Sequence, residues 1–225
     1  MGDDRNVLEG FVYDRRPRRA FAEGFAPLGT PSPGLLDGSA LSADMGRVPY
    51  RVVSGPDGEL RLEGTGNLAG VPFVLSKAYR FFEDHFSVSW SLSASGRTDL
   101  PDEWKEWALF AELPLTLLAG HDSGRTIRVE GRREPFLWDE PWEHGEVRWY
   151  RGEDDWSKTA FLVELSGVVR LIHAPIETVS LSESGLERTF QGTLFIHAFP
   201  LARLCGGEAS VMIFTGHDSR SLPHA

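Results

Sequence analysis

The sequence predicts an all-β fold, an antiparallel sandwich. Apolar and polar residues alternate with period two over several stretches, which turns one face of a strand to a core and the other to solvent. Clusters of Gly, Pro, Ser and Asp punctuate these stretches at short spacing, as antiparallel strands require. Helical periodicity is weak throughout. A chain of 225 residues fits one large β-domain over 1–225. Within it, about 1–46 form an N-terminal segment with a long loop, 47–217 the sandwich core and 218–225 a fraying polar tail.

Taken in order, Phe11 to Phe21 carries four arginines and reads as a solvated or salt-bridged edge, with an anion patch as the lesser alternative. Residues 26–46, rich in Pro, Gly and Ser, read as a long surface loop or a poorly ordered connection. Glu59 to Glu63 alternates. Gly55-Pro56-Asp57-Gly58 and Gly64-Thr65-Gly66-Asn67 read as turns. From His85 to Ser93, Phe86, Val88, Trp90 and Leu92 share one face and four serines the other. After a turn at Ser95-Gly96-Arg97, Asp102 to Leu109 allows a short helical turn, and Leu109 to Leu117 keeps its leucines and Ala111 on one parity. Ala160 to Ala174 is one strand bulged at Gly167, or two strands bent there. Thr189 to Phe199 and Glu208 to Phe214, with Cys205-Gly206-Gly207 between them, complete the set.

Charge is acidic, 33 Asp and Glu against 23 Lys and Arg. Such a surface repels phosphate backbones, so no nucleic-acid partner is expected. No apolar run is long enough to span a bilayer, and no secretory signal is visible, so no membrane partner is expected. The single cysteine, Cys205, cannot form an internal disulfide and reads as a small packed residue without a neighbouring base. Together these predict a cytoplasmic protein. Arginine greatly outnumbers lysine, a coding bias expected of a GC-rich bacterial genome.

The densest polar information lies in Pro175 to Gly192. Glu177, Glu183, Glu187, Arg188 and Gln191 stand between apolar runs, as hydroxyl-binding or mutually paired groups do. Pro175-Ile176-Glu177-Thr178-Val179-Ser180, then Ser182-Glu183, Gly185, Glu187 and Gln191-Gly192, resemble the C-terminal β-domain of family 57 glycoside hydrolases, the α-amylase and 4-α-glucanotransferase type. Leu75 to Tyr79 with Phe86 to Trp90, Phe110 to Leu115, and Asp155-Trp156 are similar to further strands and turns of that domain. Tyr13-Asp14 and the following arginines resemble its start, but Glu23-Gly24-Phe25 stands where the family has Asp-His-Phe. The resemblance implies a supersandwich like that of galactose mutarotases. It also implies that catalysis resides in a separate barrel, where two carboxylates about 5 Å apart cleave by retention. No His-x-His pair and no strand–helix alternation of such a barrel occur here.

The expectation is therefore a non-catalytic accessory domain in α-glucan metabolism, without cofactor or metal. Its partners are an α-glucan or oligosaccharide and a catalytic domain or protein. Trp138, Trp142 and Trp156, set among acidic residues, are candidate sugar platforms alongside Glu177, Glu183, Glu187, Arg188 and Gln191. For Trp138 and Trp142 a core position competes evenly with that role, and for the 175–192 motif a structural network outweighs it. A mutarotase-like epimerase pairing Glu177, Glu183 or Glu187 with His173 or His197 is one alternative; a purely structural domain is another. Asp139, Glu140, Glu143, His144, Asp154 and Asp155 offer oxygens for calcium but no ordered loop signature.

Overall fold

A computed structural model describes residues 17–53, 55–56, 58–94, 101–116, 124–182, 185–204, 208–217 and 222–223. Cys205, Glu183, the stretch before Pro17 and the predicted turns at 95–97 and 205–207 lie outside them. Among the described residues thirteen strands follow in chain order. They are β1 (Glu23–Pro27), β2 (Ala43–Asp44), β3 (Arg51–Val53), β4 (Glu59–Leu68), β5 (Val71–Phe81) and β6 (His85–Ala94). Then come β7 (Trp107–Thr116), β8 (Arg125–Val129), β9 (Phe136–Leu137), β10 (Trp142–Asp154), β11 (Thr159–Ser182), β12 (Gly185–Pro200) and β13 (Ala209–Gly216). Two short helices, α1 (Ser32–Leu36) and α2 (Leu201–Leu204), interrupt them. The helical turn expected near Asp102 is a 3-10 turn over Asp102–Glu106.

Every described strand pair is antiparallel. The hydrogen-bonded order is β2-β1-β7-β12-β11-β13-β6-β5-β4-β3, with β10, β8 and β9 branching from β11. The layers are thus parts of one connected sheet whose inner faces close on a common core. That core joins Phe25, Leu109, Phe195 and Phe199 to Phe73, Leu75, Val88, Trp90 and Val211. The alternation in β6 places Val88 and Trp90 inaccessible on the inner face, but on the outer face Ser87 and Ser89 are also buried and only Ser91 and Ser93 are exposed.

β11 makes the connection. Along one edge it pairs with β13 through Ala160–Leu165, then with β12 from Arg170 onward. The change of neighbour falls at Gly167. On the other edge β10 follows it with register shifts between His144 and Trp149. The predicted bend is therefore a switch point within one 24-residue strand.

Two expectations need correction. Residues 26–46 do not form a plain surface loop. They contain α1, and Leu35, with Leu28, Leu36 and Leu41 packed against it, covers a second apolar layer of Ala26, Ala108, Phe110, Ile172, Leu194 and Ile196. This cover explains why β7 is buried on both faces. Gly64-Thr65-Gly66-Asn67 is not a turn but the second half of β4. The turn falls at Ala69–Gly70, both with positive φ. Gly66 is small because the Phe73 ring lies across it: a Cβ there would stand 2.4 Å from that ring and 3.0 Å from the Met45 sulfur.

Replacing Gly66 with Val should therefore destabilise the fold by roughly 1–3 kcal/mol through overpacking. Gly145→Ala, where an added Cβ meets nothing within 4 Å, should stay within about 0.5 kcal/mol of the parent. Urea unfolding of both variants checks the contrast.

Candidate functional site

The β11–β12 hairpin carries the 175–192 motif and extends beyond the sheet. β10 accompanies β11 only to the Trp142–His173 pair, and β7 accompanies β12 only to the Thr116–Gly192 pair. Past those points the ribbon continues alone among the described residues, for roughly 20 Å at 3.3 Å per residue. Pro175 fits here, because the strand has just lost a neighbour that would need its N–H.

On this arm Glu177, Glu187, Arg188 and Gln191 are all exposed. Arg188 Nη1 donates to Glu177 Oε2 at 3.3 Å, and Gln191 Nε2 donates to Thr178 Oγ1 at 3.2 Å. Glu187 stands opposite Ser180. The motif residues thus divide between the two faces of the ribbon, Glu177 with Arg188 on one and Gln191 with Thr178 and Glu187 on the other, with Glu183 outside the described residues.

The three tryptophans part company. Trp138 is 2% exposed and belongs to the core beside Phe161, so it offers no face to a sugar. Trp142 is half-buried and stacked between Phe136 at 4.2 Å and His173 at 4.8 Å, which occupies both faces of its indole. Trp156 is 73% exposed. Its turn is built by Asp154, whose carboxylate accepts the N–H groups of Trp156 and Ser157 at 2.9 and 3.2 Å and pairs with buried Arg125 at 3.1 Å. Burial pushes the Asp154 carboxyl up, but the hydrogen bonds from Ser157, Arg125 and Trp156 prevail and hold it below the usual carboxylate range.

The two histidines of the epimerase alternative are sealed. His197 is fully inaccessible and His173 is 1% exposed. A carbonyl can only accept, so His197 Nδ1 donates to Ala111 O at 3.2 Å. The ring's Nε2 then accepts from the Tyr150 hydroxyl at 2.9 Å. By the same logic His173 Nδ1 donates to Glu140 O at 2.9 Å, and its Nε2 accepts from Thr193 Oγ1. Burial lowers both pKa values to about 4. No ring nitrogen is left to face a sugar or to meet the exposed arm carboxylates.

Glu143 and Asp154 are likewise engaged. Arg170 forks Glu143 at 2.7 and 2.9 Å. Among the described residues no three of His, Cys, Asp or Glu are placed to share a metal ion. No described helix is long and apolar enough to cross a membrane.

One surface escaped the sequence reading. On the outer face of β4–β6, Arg61, Ser76, Ala78, Arg80, Ser89 and Ser91 line a groove of about 370 Å³. Glu59, its side chain 2% exposed, accepts from Arg61 at 2.8 Å and from Arg80 at 2.7 Å. Burial raises its pKa, yet these two guanidinium partners bring it below the usual value. The alternation marked the serines as a polar face; their union with Arg61 and Arg80 depends on strand register, which adjacent sequence does not reveal.

Truncating Trp138 to Ala should cost about 3–5 kcal/mol, whereas Trp156→Ala should stay within about 0.5 kcal/mol; urea midpoints separate them. The histidines set the acid response. Unfolded, they bind protons near pH 6.5; folded, only near 4. Stability should therefore fall as pH drops from 6.5 toward 4, by up to about 1.4 kcal/mol per pH unit for each ring. Unfolding curves between pH 7 and 4.5 measure it, and a flat profile would contradict the burial described.

Comparison with known proteins agrees with this architecture. The chain is similar to the 4-alpha-glucanotransferase of Thermococcus litoralis, with 16% identity and a TM-score of 0.67 over 93% of this chain. It covers only 29% of that protein's length. It is also similar to an aldose 1-epimerase candidate from Escherichia coli K12, with 12% identity and a TM-score of 0.53 over 79% of this chain and 72% of that one. At these identities the likeness is one of fold, a galactose-mutarotase-like β-supersandwich. Among curated proteins none matches. The family model for the C-terminal region of alpha-amylase/4-alpha-glucanotransferase matches residues 3–210. The chain belongs to the alpha-amylase/4-alpha-glucanotransferase C-terminal family.

Proposed function

We propose that this chain is a non-catalytic accessory β-domain acting in α-glucan metabolism. It braces a catalytic partner domain or protein and contacts an α-glucan or oligosaccharide. The observation that carries this reading is the β11–β12 arm. A two-stranded ribbon that outruns its described neighbour strands can present an edge to a partner, and Glu177 with Arg188 on one face and Glu187 with Gln191 on the other give it hydrogen-bonding groups. The family membership and the share of the glucanotransferase that the chain covers support the same role. Exposed Trp156 supplies a separate flat face on which a pyranose can stack.

The mutarotase-like alternative lacks a base and an acid that meet. Glu177 and Glu187 stand on the exposed arm, and both nitrogens of each histidine are engaged within the core.

Titrating the chain with maltoheptaose should give binding heat and no shortened or lengthened product. Trp156→Ala or Arg188→Ala should weaken binding at least threefold with little change in unfolding midpoint. Turnover that tracks the protein through purification would overturn the accessory reading. Absence of heat would leave a purely structural domain.

A further inference from the structure

We propose that the groove on the outer face of β4–β6 binds a small neutral polyol, the size of a mono- or disaccharide. Ser89 and the Arg61–Glu59–Arg80 cluster would be its hydrogen-bonding floor and wall. The choice of a saccharide among polyols rests on the glucan reading above; the site itself stands on its own geometry.

The groove exists because of side-chain size. Register sets Ser76 beside Ser91, Ala78 beside Ser89, and Arg61 beside Ala78 across the three strands. Small residues make the floor. The long arginines and, at the far end, Leu204 and Glu208 make the walls. Its volume of about 370 Å³ lies at the lower end of the range for small-ligand sites.

Ser89 points to a ligand. The residue is 3% exposed, and its hydroxyl has no hydrogen-bond partner in the described structure. A buried hydroxyl left unpaired is costly, and the strand does not need one, since Ala78 occupies the neighbouring position. A ligand hydroxyl can both donate to Ser89 and accept from it.

The wall is preorganised. Glu59 fixes Arg61 through Nε and Nη2 and Arg80 through Nε, while Arg80 Nη1 stands 3.8 Å from Glu208. Each guanidinium carries five donors, so N–H groups remain for a guest. Two arginines against Glu59 and Glu208 leave no net charge, which favours a neutral guest over a phosphate. Among the described residues no aromatic ring lines the groove, so recognition relies on hydroxyls rather than stacking.

Equilibrium dialysis with radiolabelled maltose, with inorganic phosphate as the charged control, tests this on the full chain. Maltose should bind and phosphate should not. Ser89→Ala should weaken maltose at least fivefold while the melting temperature holds or rises, because the lost hydroxyl satisfied nothing. Ser91→Leu, at an exposed position on the rim, should block binding without unfolding the chain. Unchanged maltose binding in both variants, phosphate binding more tightly than maltose, or a lowered melting temperature for Ser89→Ala would each overturn the site. Maltoheptaose heat that survives both variants but is lost in Trp156→Ala would sink the groove and leave the glucan role intact. Maltose binding lost in Ser89→Ala, with no effect of Trp156→Ala or Arg188→Ala on maltoheptaose, would uphold the groove and remove the arm and indole from glucan contact.

Discussion

A buried ion pair ties the two layers together. Glu23 of β1, 1% exposed, meets Lys77 of β5, 6% exposed, at 2.8 Å. The same carboxylate oxygen accepts from Tyr50 at 3.2 Å and from the Trp90 indole at 3.1 Å, and Lys77 also donates to Phe21 O at 3.0 Å. Burial and the Glu23 charge push the Tyr50 hydroxyl far up, so it remains a donor. Such a pair adds little net stability over well-packed apolar residues, but losing one partner strands a charge and costs about 3–5 kcal/mol. Its contribution is to registration. β1 can meet β5 and β6 in only one way, and the aromatic contacts of Phe21 with Tyr79, Phe86 and Trp90 follow from that alignment.

Given that clamp, β11 decides what faces outward. It serves β13 with its first third and β12 with the rest, so it must run past the end of one layer to complete the other. The overrun is the arm. The same continuity keeps Trp156 and the arm apart: Thr159 and Glu177 are separated by a strand contour of roughly 60 Å. Polar residues that look like one acidic-aromatic cluster on the chain are therefore distributed to different places. Trp138 enters the core, Trp142 seals His173, and Trp156 turns outward.

The strands were legible where one face is buried and one is wet. Phe86, Val88 and Trp90 against their serines announced β6, although Ser87 and Ser89 on its outer face turn out buried as well. The reading lost accuracy where burial is two-sided or where small residues answer to distant rings. β7 is covered on its second face by Leu35 and its neighbours, contacts made by a stretch whose Pro and Gly content resembles a loop. Gly64 and Gly66 looked like turn residues because nothing nearby in sequence reveals Tyr50, Met45 and Phe73 lying against them. The 175–192 motif was visible as composition and wording. That it leaves the sheet was not, since the ends of β10 and β7 determine it. Glu23 appeared only as a departure from a family pattern, yet it anchors the core clamp.

The placement of polar groups also constrains where this domain can act. Inside, the charged and titratable groups of the core are spent on one another: Glu23 on Lys77, His197 on Tyr150 and Ala111, His173 on Thr193 and Glu140. Opening these networks to admit a substrate would expose Phe195, Leu171 and Trp138 along with them, because the histidines sit within the same apolar cluster. Outside, the polar groups are held by partners that fix their geometry while leaving them accessible, as Glu177 does for Arg188 and Glu59 for Arg61 and Arg80. Preorganised donors on a rigid sheet bind with little ordering cost. Chemistry on the ligand would further require an acid or base within its reach, and His173 and His197 are enclosed. Recognition on the outer faces, with bond cleavage left to a partner, is the division of labour that this distribution of charge and burial favours.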